Sequence, residues 1–227
     1  MLSSFGVEFE AVNVEGNPAA LADLRRLGAP LVPAVAVGER VVHGWNPKGV
    51  AELVGAEYVQ REPLAPEDLA RRLDTILQAS ERAIRQVPDD RLEMKSPDRD
   101  RTLRNLGYHI FRLSLAFRDG MTERRFPEVW LQEMAPPEIR DAAAIAHYGQ
   151  AVRESLAEWF RRPGAWKGVV ETYYGPQTGH ELLERTTWHA AQHLRQLYAL
   201  LEMMGVMPDR PLTETDFSGL PLPKALW

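Results

Sequence analysis

Two histidines stand four residues apart in TTWHAAQHLRQLYALL, positions 186–201 of the chain. At about 100° per residue, His189 and His193 share a helical face with Leu182, Thr186, Leu197, Leu200 and Met204, while Glu184, Arg195 and Glu202 fall opposite. Imidazoles one turn apart on an apolar face point towards an interior. A second stretch, TLRNLGYHIFRLSLAF, puts His109 on one face with Leu106, Ile110, Leu113 and Phe117. One inward histidine is ordinarily satisfied by hydrogen bonds. Three converging on one interior each bring an acceptor nitrogen, and leaving a buried polar group unpaired costs about 1–3 kcal/mol. A single divalent cation satisfies all three. Three imidazoles with one coordination position left over are the donor set of a catalytic zinc site rather than of a closed structural one.

The spacing invites comparison with the zincin motif His-Glu-x-x-His. Ala190 stands where that motif carries the glutamate that activates water, so peptide hydrolysis by that route lacks its base. Gln192 points sideways from the stripe and is no candidate acid or base, and the sequence assigns no residue to proton transfer. His147, in another helical stretch, could replace or supplement a member of the set, though a surface or hydrogen-bonded core position is the simpler reading; His180 and His43 read as ordinary polar positions. Tyr173 and Tyr174 precede the His189 helix and either line a mouth over the site or simply pack.

Four helical stretches carry these residues: 66–87, about 101–118, about 137–161 and about 179–204. The first opens with Pro and acids, at the positive end of the helix dipole. Together they predict an antiparallel four-helix bundle. The connections between the second and third and between the third and fourth are about 18 residues long, beyond the usual bundle turn, which points to non-sequential packing or to loops that cover a site. The first 55 residues change texture faster. VEFEAV (7–12) alternates like a strand, PAALADLRRLG (18–28) is a helix, AVAVG and ERVVHG suggest a hairpin, and PKGVAELVG closes a last helix at Gly55. The expected organisation is α+β overall: a small α/β segment over 1–56, a linker over 57–65, the bundle over 66–205, and a Pro-rich tail over 206–227 extended on the surface.

With 227 residues, 44% hydrophobic and 26% charged, the chain is long enough to bury a sizeable core. Its net charge of −5 gives no basic field for nucleic acid, and no window is apolar for long enough to span a bilayer. The absence of cysteine excludes disulfides, thiolate ligands and a cysteine nucleophile, so metal chemistry must use His, Asp or Glu. MLSSFGVEFE lacks the features of a secretory signal, and a cytoplasmic location is expected.

The inward histidine of LRNLGYHIFRLS and the pair in WHAAQHLRQLYALL resemble the DinB-like superfamily over about residues 62–205. That superfamily includes the metal-binding domain of mycothiol-dependent maleylpyruvate isomerase and the bacillithiol transferases. The resemblance implies an up-up-down-down four-helix bundle, a homodimer, and a Zn²⁺ or Ni²⁺ ion held by His109, His189 and His193. It also implies a low-molecular-weight thiol as cofactor and a small electrophile as its partner, in an S-transferase or isomerase reaction. A dication lowers the pKa of a coordinated thiol, so such a reaction needs no cysteine in the chain. The alternative is a non-enzymatic metal-binding or stress-response protein, because fold membership does not establish catalysis.

GAPLVPAVAVGERVVHGWNPKGVAELVG is similar to the later part of a glutaredoxin, with its Val-Pro step, hairpin and Gly-rich turn before the last helix. The resemblance implies a cis Pro33 and a thiol-binding surface at Val32, Pro33, Gly44, Trp45 and Asn46. The first strand and the Cys-x-x-Cys helix start of that thioredoxin-like fold have no counterpart here, so dithiol exchange is excluded in the chain as it stands. Either the gene starts upstream of Met1 or those elements are lost. The remaining segment is expected to be a dimer contact or a vestigial module before a docking surface for a thiol.

Overall fold

The computed structural model describes residues 2, 6–12, 14, 17–29, 32–44, 46–57, 62–97, 100–223 and 226. The chain divides into two compact units, Met1–Glu62 and Pro63–Trp227.

In the first unit, α1 (Pro18–Arg26) is followed by β1 (Ala34–Val37), β2 (Arg40–His43) and α2 (Pro47–Val54). Each helix has Pro in its first turn and an Asn cap: Asn17 Oδ1 accepts from the Ala20 amide at 3.1 Å and Asn46 Oδ1 from the Gly49 amide at 2.8 Å. β1 and β2 form an antiparallel hairpin in which Val37 faces Arg40, leaving a two-residue turn whose first residue, Gly38, has φ of +61°. The Val32–Pro33 peptide is cis. VEFEAV is not a strand, contrary to its alternation: among the described residues β1 and β2 pair only with each other, and Glu8, Phe9, Glu10 and Val12 are exposed. Alternation specifies which face is apolar but supplies no neighbouring edge, so without a partner the backbone groups stay with water.

The second unit is built on α3 (Pro66–Arg85), α4 (Leu103–Glu123), α6 (Ala142–Phe160) and α7 (Gly179–Met203). Helices α3 and α4 each pack on both α6 and α7 and touch each other little. Thus α3 and α4 stand on one diagonal of the bundle and α6 and α7 on the other; the long connection from α6 to α7 crosses a diagonal, whereas the equally long one from α4 to α6 joins helices that pack together. The third helix starts at Ala142, not near 137, because Pro136 and Pro137 form a turn and the Asp141 side chain caps the helix, accepting from the Ala144 amide at 2.7 Å. Asp141→Ala should lower the stability of this unit by about 1 kcal/mol, read as a fall in denaturation midpoint at constant slope.

The two connections flanking α6 carry structure that the sequence pattern did not suggest. The first holds β3 (Arg125–Phe126) and the single turn α5 (Val129–Gln132); the second holds β4 (Val169–Thr172) and β5 (Gly175–Thr178). β4 pairs parallel to β3 and antiparallel to β5, so one small sheet ties both connections together. A two-residue strand and the strand GPQT have no apolar alternation to read.

Helix α4 is buried on nearly all sides: Tyr108, Phe111, Arg112 and Ser114 join Leu106, Ile110, Leu113 and Phe117 in the interior. Gly149 of α6 sits against the Phe111 ring, where an added Cβ would lie 2.5 Å from ring carbons. Among the described residues the stretch after α7 has no regular helix or strand but is fastened along the bundle. The Leu212 amide donates to Tyr198 Oη at 3.1 Å, Gln86 Nε2 donates to the Met207 carbonyl at 2.9 Å, and Leu220 is buried in the core. Among the described residues no helix is long and apolar enough to cross a membrane.

Candidate metal centre

Two well-capped helices bring the site together. The Thr102 hydroxyl caps α4, accepting from the Asn105 amide, and a reciprocal Thr178–Glu181 capping box starts α7. With α4 packed against α7, His109 meets His189 and His193. His109 and His193 are 4% and 5% exposed, whereas His189 is half-buried and so forms the accessible edge of the group. Ring centroids lie 4.7 Å apart for His189 and His193, 4.9 Å for His109 and His193, and 5.6 Å for His109 and His189. One nitrogen from each ring lies within 4.8 Å of the other two.

Nitrogens sharing one tetrahedral ion at about 2.0–2.1 Å stand about 3.3 Å apart. Small rotations of the three side chains therefore close the set on a cation. Among the described residues this is the one such group of three ligating side chains, and no carboxylate belongs to it. An all-imidazole donor set suits zinc, nickel, copper or iron and disfavours magnesium and calcium.

The surroundings assign the tautomer of His193. Gln196 Nε2 donates to the Leu226 carbonyl at 2.6 Å, so the other end of that amide, Oε1, is the acceptor facing His193 Nδ1 at 2.7 Å. Nδ1 then carries the proton, and the lone pair lies on Nε2, the atom a cation would take.

Beside His189 a small, partly open cavity of about 10 Å³ is lined by Leu113, Phe126, Leu131, Leu182, Arg185 and Thr186, room for about one water. Phe126 comes from β3 and Leu131 from α5, so the first long connection does cover the site. Arg185, one turn before His189, donates to Tyr173 Oη at 3.0 Å and lies 3.8 Å over the Tyr174 ring. Burial pushes the Tyr174 phenol above its ordinary value, so that neighbour is neutral. Among the described residues no carboxylate pairs with Arg185. Sequence reasoning passed it over, although a cation four residues ahead of an inward histidine on one helix face was a legible signal. Buried Arg112, one turn after His109, is paired instead: its Nη2 donates to Glu133 Oε1 at 3.0 Å and fastens α4 to the covering connection.

The other candidates separate from this centre. His147 is exposed on α6, His43 is exposed on β2, and His180 Nε2 donates to the Leu64 carbonyl at 2.8 Å. Gln192 lies off the histidine stripe, donating to the Leu226 carbonyl at 2.7 Å. In the first unit the Gly44 amide donates to the Pro33 carbonyl at 2.8 Å, which brings the Val32–Pro33 step and the later turn together. Val32 is exposed, the Asn46 side chain caps α2, and Trp45 lies outside the described residues.

Fold and site together define a mixed α/β chain whose helical region is a four-helix bundle with a histidine cluster suited to a metal ion. Among solved structures it is similar to YfiT from Bacillus subtilis, described as a probable metal-dependent hydrolase with an unusual four-helix bundle topology. The identity is 17% and the TM-score 0.50, over 66% of this chain and 95% of that one. YjoA, a DinB-like protein from the same organism, matches at 17% identity and a TM-score of 0.48, over 63% of this chain and 95% of that one. Likeness at this identity speaks to the fold alone. No protein-family model matches the sequence, and no curated protein matches it.

Proposed function

We propose that the helical unit is a metal-dependent enzyme of hydrolase or isomerase type, with Zn²⁺ or Ni²⁺ held by His109, His189 and His193. One observation carries this reading: three imidazoles from two helices converge, and the least buried of them borders a cavity that also holds an arginine without a carboxylate partner among the described residues. The description of YfiT as a probable metal-dependent hydrolase is in keeping with it. A bound dication supplies acidity, lowering the pKa of a coordinated thiol or water.

The chain's own residues divide the remaining work. His109 and His193, locked in the core, fix the position of the centre. His189, the half-buried member, forms the edge at which a ligand would arrive. Leu113, Phe126, Leu131 and Leu182 give the cavity beside it apolar walls. Arg185 offers a guanidinium to an anionic group on the incoming molecule, the counter-charge that a half-buried cation favours. The finer reading is a thiol S-transferase or isomerase, with a low-molecular-weight thiol bearing a carboxylate as cofactor and a small electrophile as substrate. For Val32, Pro33, Gly44, Trp45 and Asn46 a dimer contact or a vestigial role stands ahead of thiol docking, and a homodimer is the expected assembly.

Incubating the metal-loaded protein with a set of bacterial thiols and a chlorodinitrobenzene-type electrophile tests this. Metal-dependent turnover is expected, lost in His189→Ala. Arg185→Ala should raise KM for carboxylate-bearing thiols about 10–100-fold while leaving neutral thiols nearly unchanged, as expected for loss of a charge-assisted hydrogen bond. Stoichiometric metal with no thiol binding and no turnover across the set would instead favour the non-enzymatic metal-binding protein.

A further inference from the structure

We propose that Leu220, Pro223 and Leu226 form a built-in brace of the metal centre, acting from the Leu226 carbonyl through Gln196 onto His193. Cation binding and the docking of their segment on α7 then favour each other. The inference rests on the reading of the histidine cluster as a cation site.

The contacts are direct. Gln192 Nε2 and Gln196 Nε2 both donate to the Leu226 carbonyl, at 2.7 and 2.6 Å, and Arg195 Nη1 donates to the Pro223 carbonyl and to Gln192 Oε1, each at 2.8 Å. These three side chains occupy positions i, i+3 and i+4 of α7, one patch of its surface. Both glutamines are 8% exposed, and the segment is anchored further by Leu220, 9% exposed, in the core.

A carboxamide is nearly symmetric in shape, so packing alone does not decide which end faces His193. The Leu226 carbonyl decides it, because a carbonyl can only accept. With the segment docked, Gln196 must present Oε1 to His193, and Nε2 of that ring keeps the lone pair a cation requires. With the segment displaced, Gln196 can turn over and donate to Nδ1, which places the ring proton on Nε2 and opposes coordination. Gln196 is thus a positioning residue, and the bond it sets is the outer-shell contact that orients ligating histidines. Linkage makes the effect reciprocal: the factor by which docking tightens cation binding equals the factor by which the cation tightens docking.

The test is a Zn²⁺ titration against a chromogenic chelator, using the full chain, Gln196→Leu, Gln196→Glu, and a chain ending at Leu220 with and without Gln196→Glu. Gln196→Leu and the shorter chain should bind Zn²⁺ about 10–100-fold more weakly than the full chain. A carboxylate accepts from Nδ1 whichever way it turns. Gln196→Glu should therefore restore affinity to within about threefold and make it indifferent to the loss of residues 221–227, a rescue that a merely structural role would not give. Saturating Zn²⁺ should also slow carboxypeptidase removal of those residues by the same factor. If the shorter chain does not fold, the Gln196→Leu and Gln196→Glu pair and the protease rates decide. A full chain that binds Zn²⁺ while Gln196→Leu binds within threefold of it overturns the brace and leaves the metal centre standing. A full chain that binds no Zn²⁺ overturns both.

Discussion

His193→Ala is expected to abolish the gain in thermal stability that the proposed Zn²⁺ or Ni²⁺ ion would give the unsubstituted chain. A ligand that binds the folded state alone stabilises it by about 2.7 kcal/mol at a concentration 100 times its Kd. For a chain of this size that corresponds to an upward shift in Tm of about 5–11 °C. The three nitrogens come from two helices, so the unfolded chain cannot present them together, and the stabilisation belongs to the native bundle. Removing one imidazole of three should weaken binding by more than the about 10–100-fold expected for loss of an outer-shell partner. His109→Ala should behave in the same way, since that ring is equally buried and is the single contribution of α4 to the group. The measurement is the difference in Tm between metal-loaded and chelator-stripped protein for each variant. Because it is a difference, it cancels whatever the substitution does to the empty fold. Equal metal-induced shifts in the variants and the unsubstituted chain would remove His109 and His193 from the centre.

The convergence of these side chains was legible in the sequence for a simple reason. Each ligand sits on a helix whose apolar stripe must face the bundle, so the stripe fixes the direction of the histidine with it. The 3.6-residue period likewise placed α3 and α7 nearly to the residue, because Pro66 and the Thr178 cap mark their starts. What surrounds the histidines was not legible. Helix α4 shows one good stripe, yet Phe111 and Arg112, off that stripe, are also buried: Phe111 against Gly149 and Tyr148 of α6, and Arg112 beside Glu133 of the connection that holds β3 and α5. Those covering elements are two and four residues long, too short to carry a period. The Gln196–Leu226 contact joins positions 30 apart in sequence through a carbonyl that every residue type carries, and no side-chain pattern announces it. The N-terminal alternation of VEFEAV misled for the opposite reason: the local pattern was clear, but pairing is a property of two strands.

The largest loss of stability from one substitution outside the centre is expected for Phe111→Ala. The ring is fully buried two residues after His109, meets Tyr148 edge-on at 6.5 Å between centroids, and fills the space that Gly149 leaves on α6. Truncation removes the transfer free energy of the ring and leaves a cavity between two helices that are each held elsewhere, so the site cannot collapse; about 3–5 kcal/mol is expected. That is a large share of a typical domain stability of about 5–15 kcal/mol. Gly149→Ala attacks the same contact from the other side. Its Cβ would stand 2.5 Å from the Phe111 ring carbons, and overpacking of this kind costs about 1–3 kcal/mol. The two should not add: with Phe111→Ala already made, Gly149→Ala meets space instead of a ring, and its cost should fall to near zero or change sign. Urea denaturation of the two single variants and the double variant measures this coupling. Repeating the series with saturating Zn²⁺ asks whether the depth of α4 against α6 also governs the placing of His109. If it does, the metal-induced shift should shrink in both single variants and recover in the double.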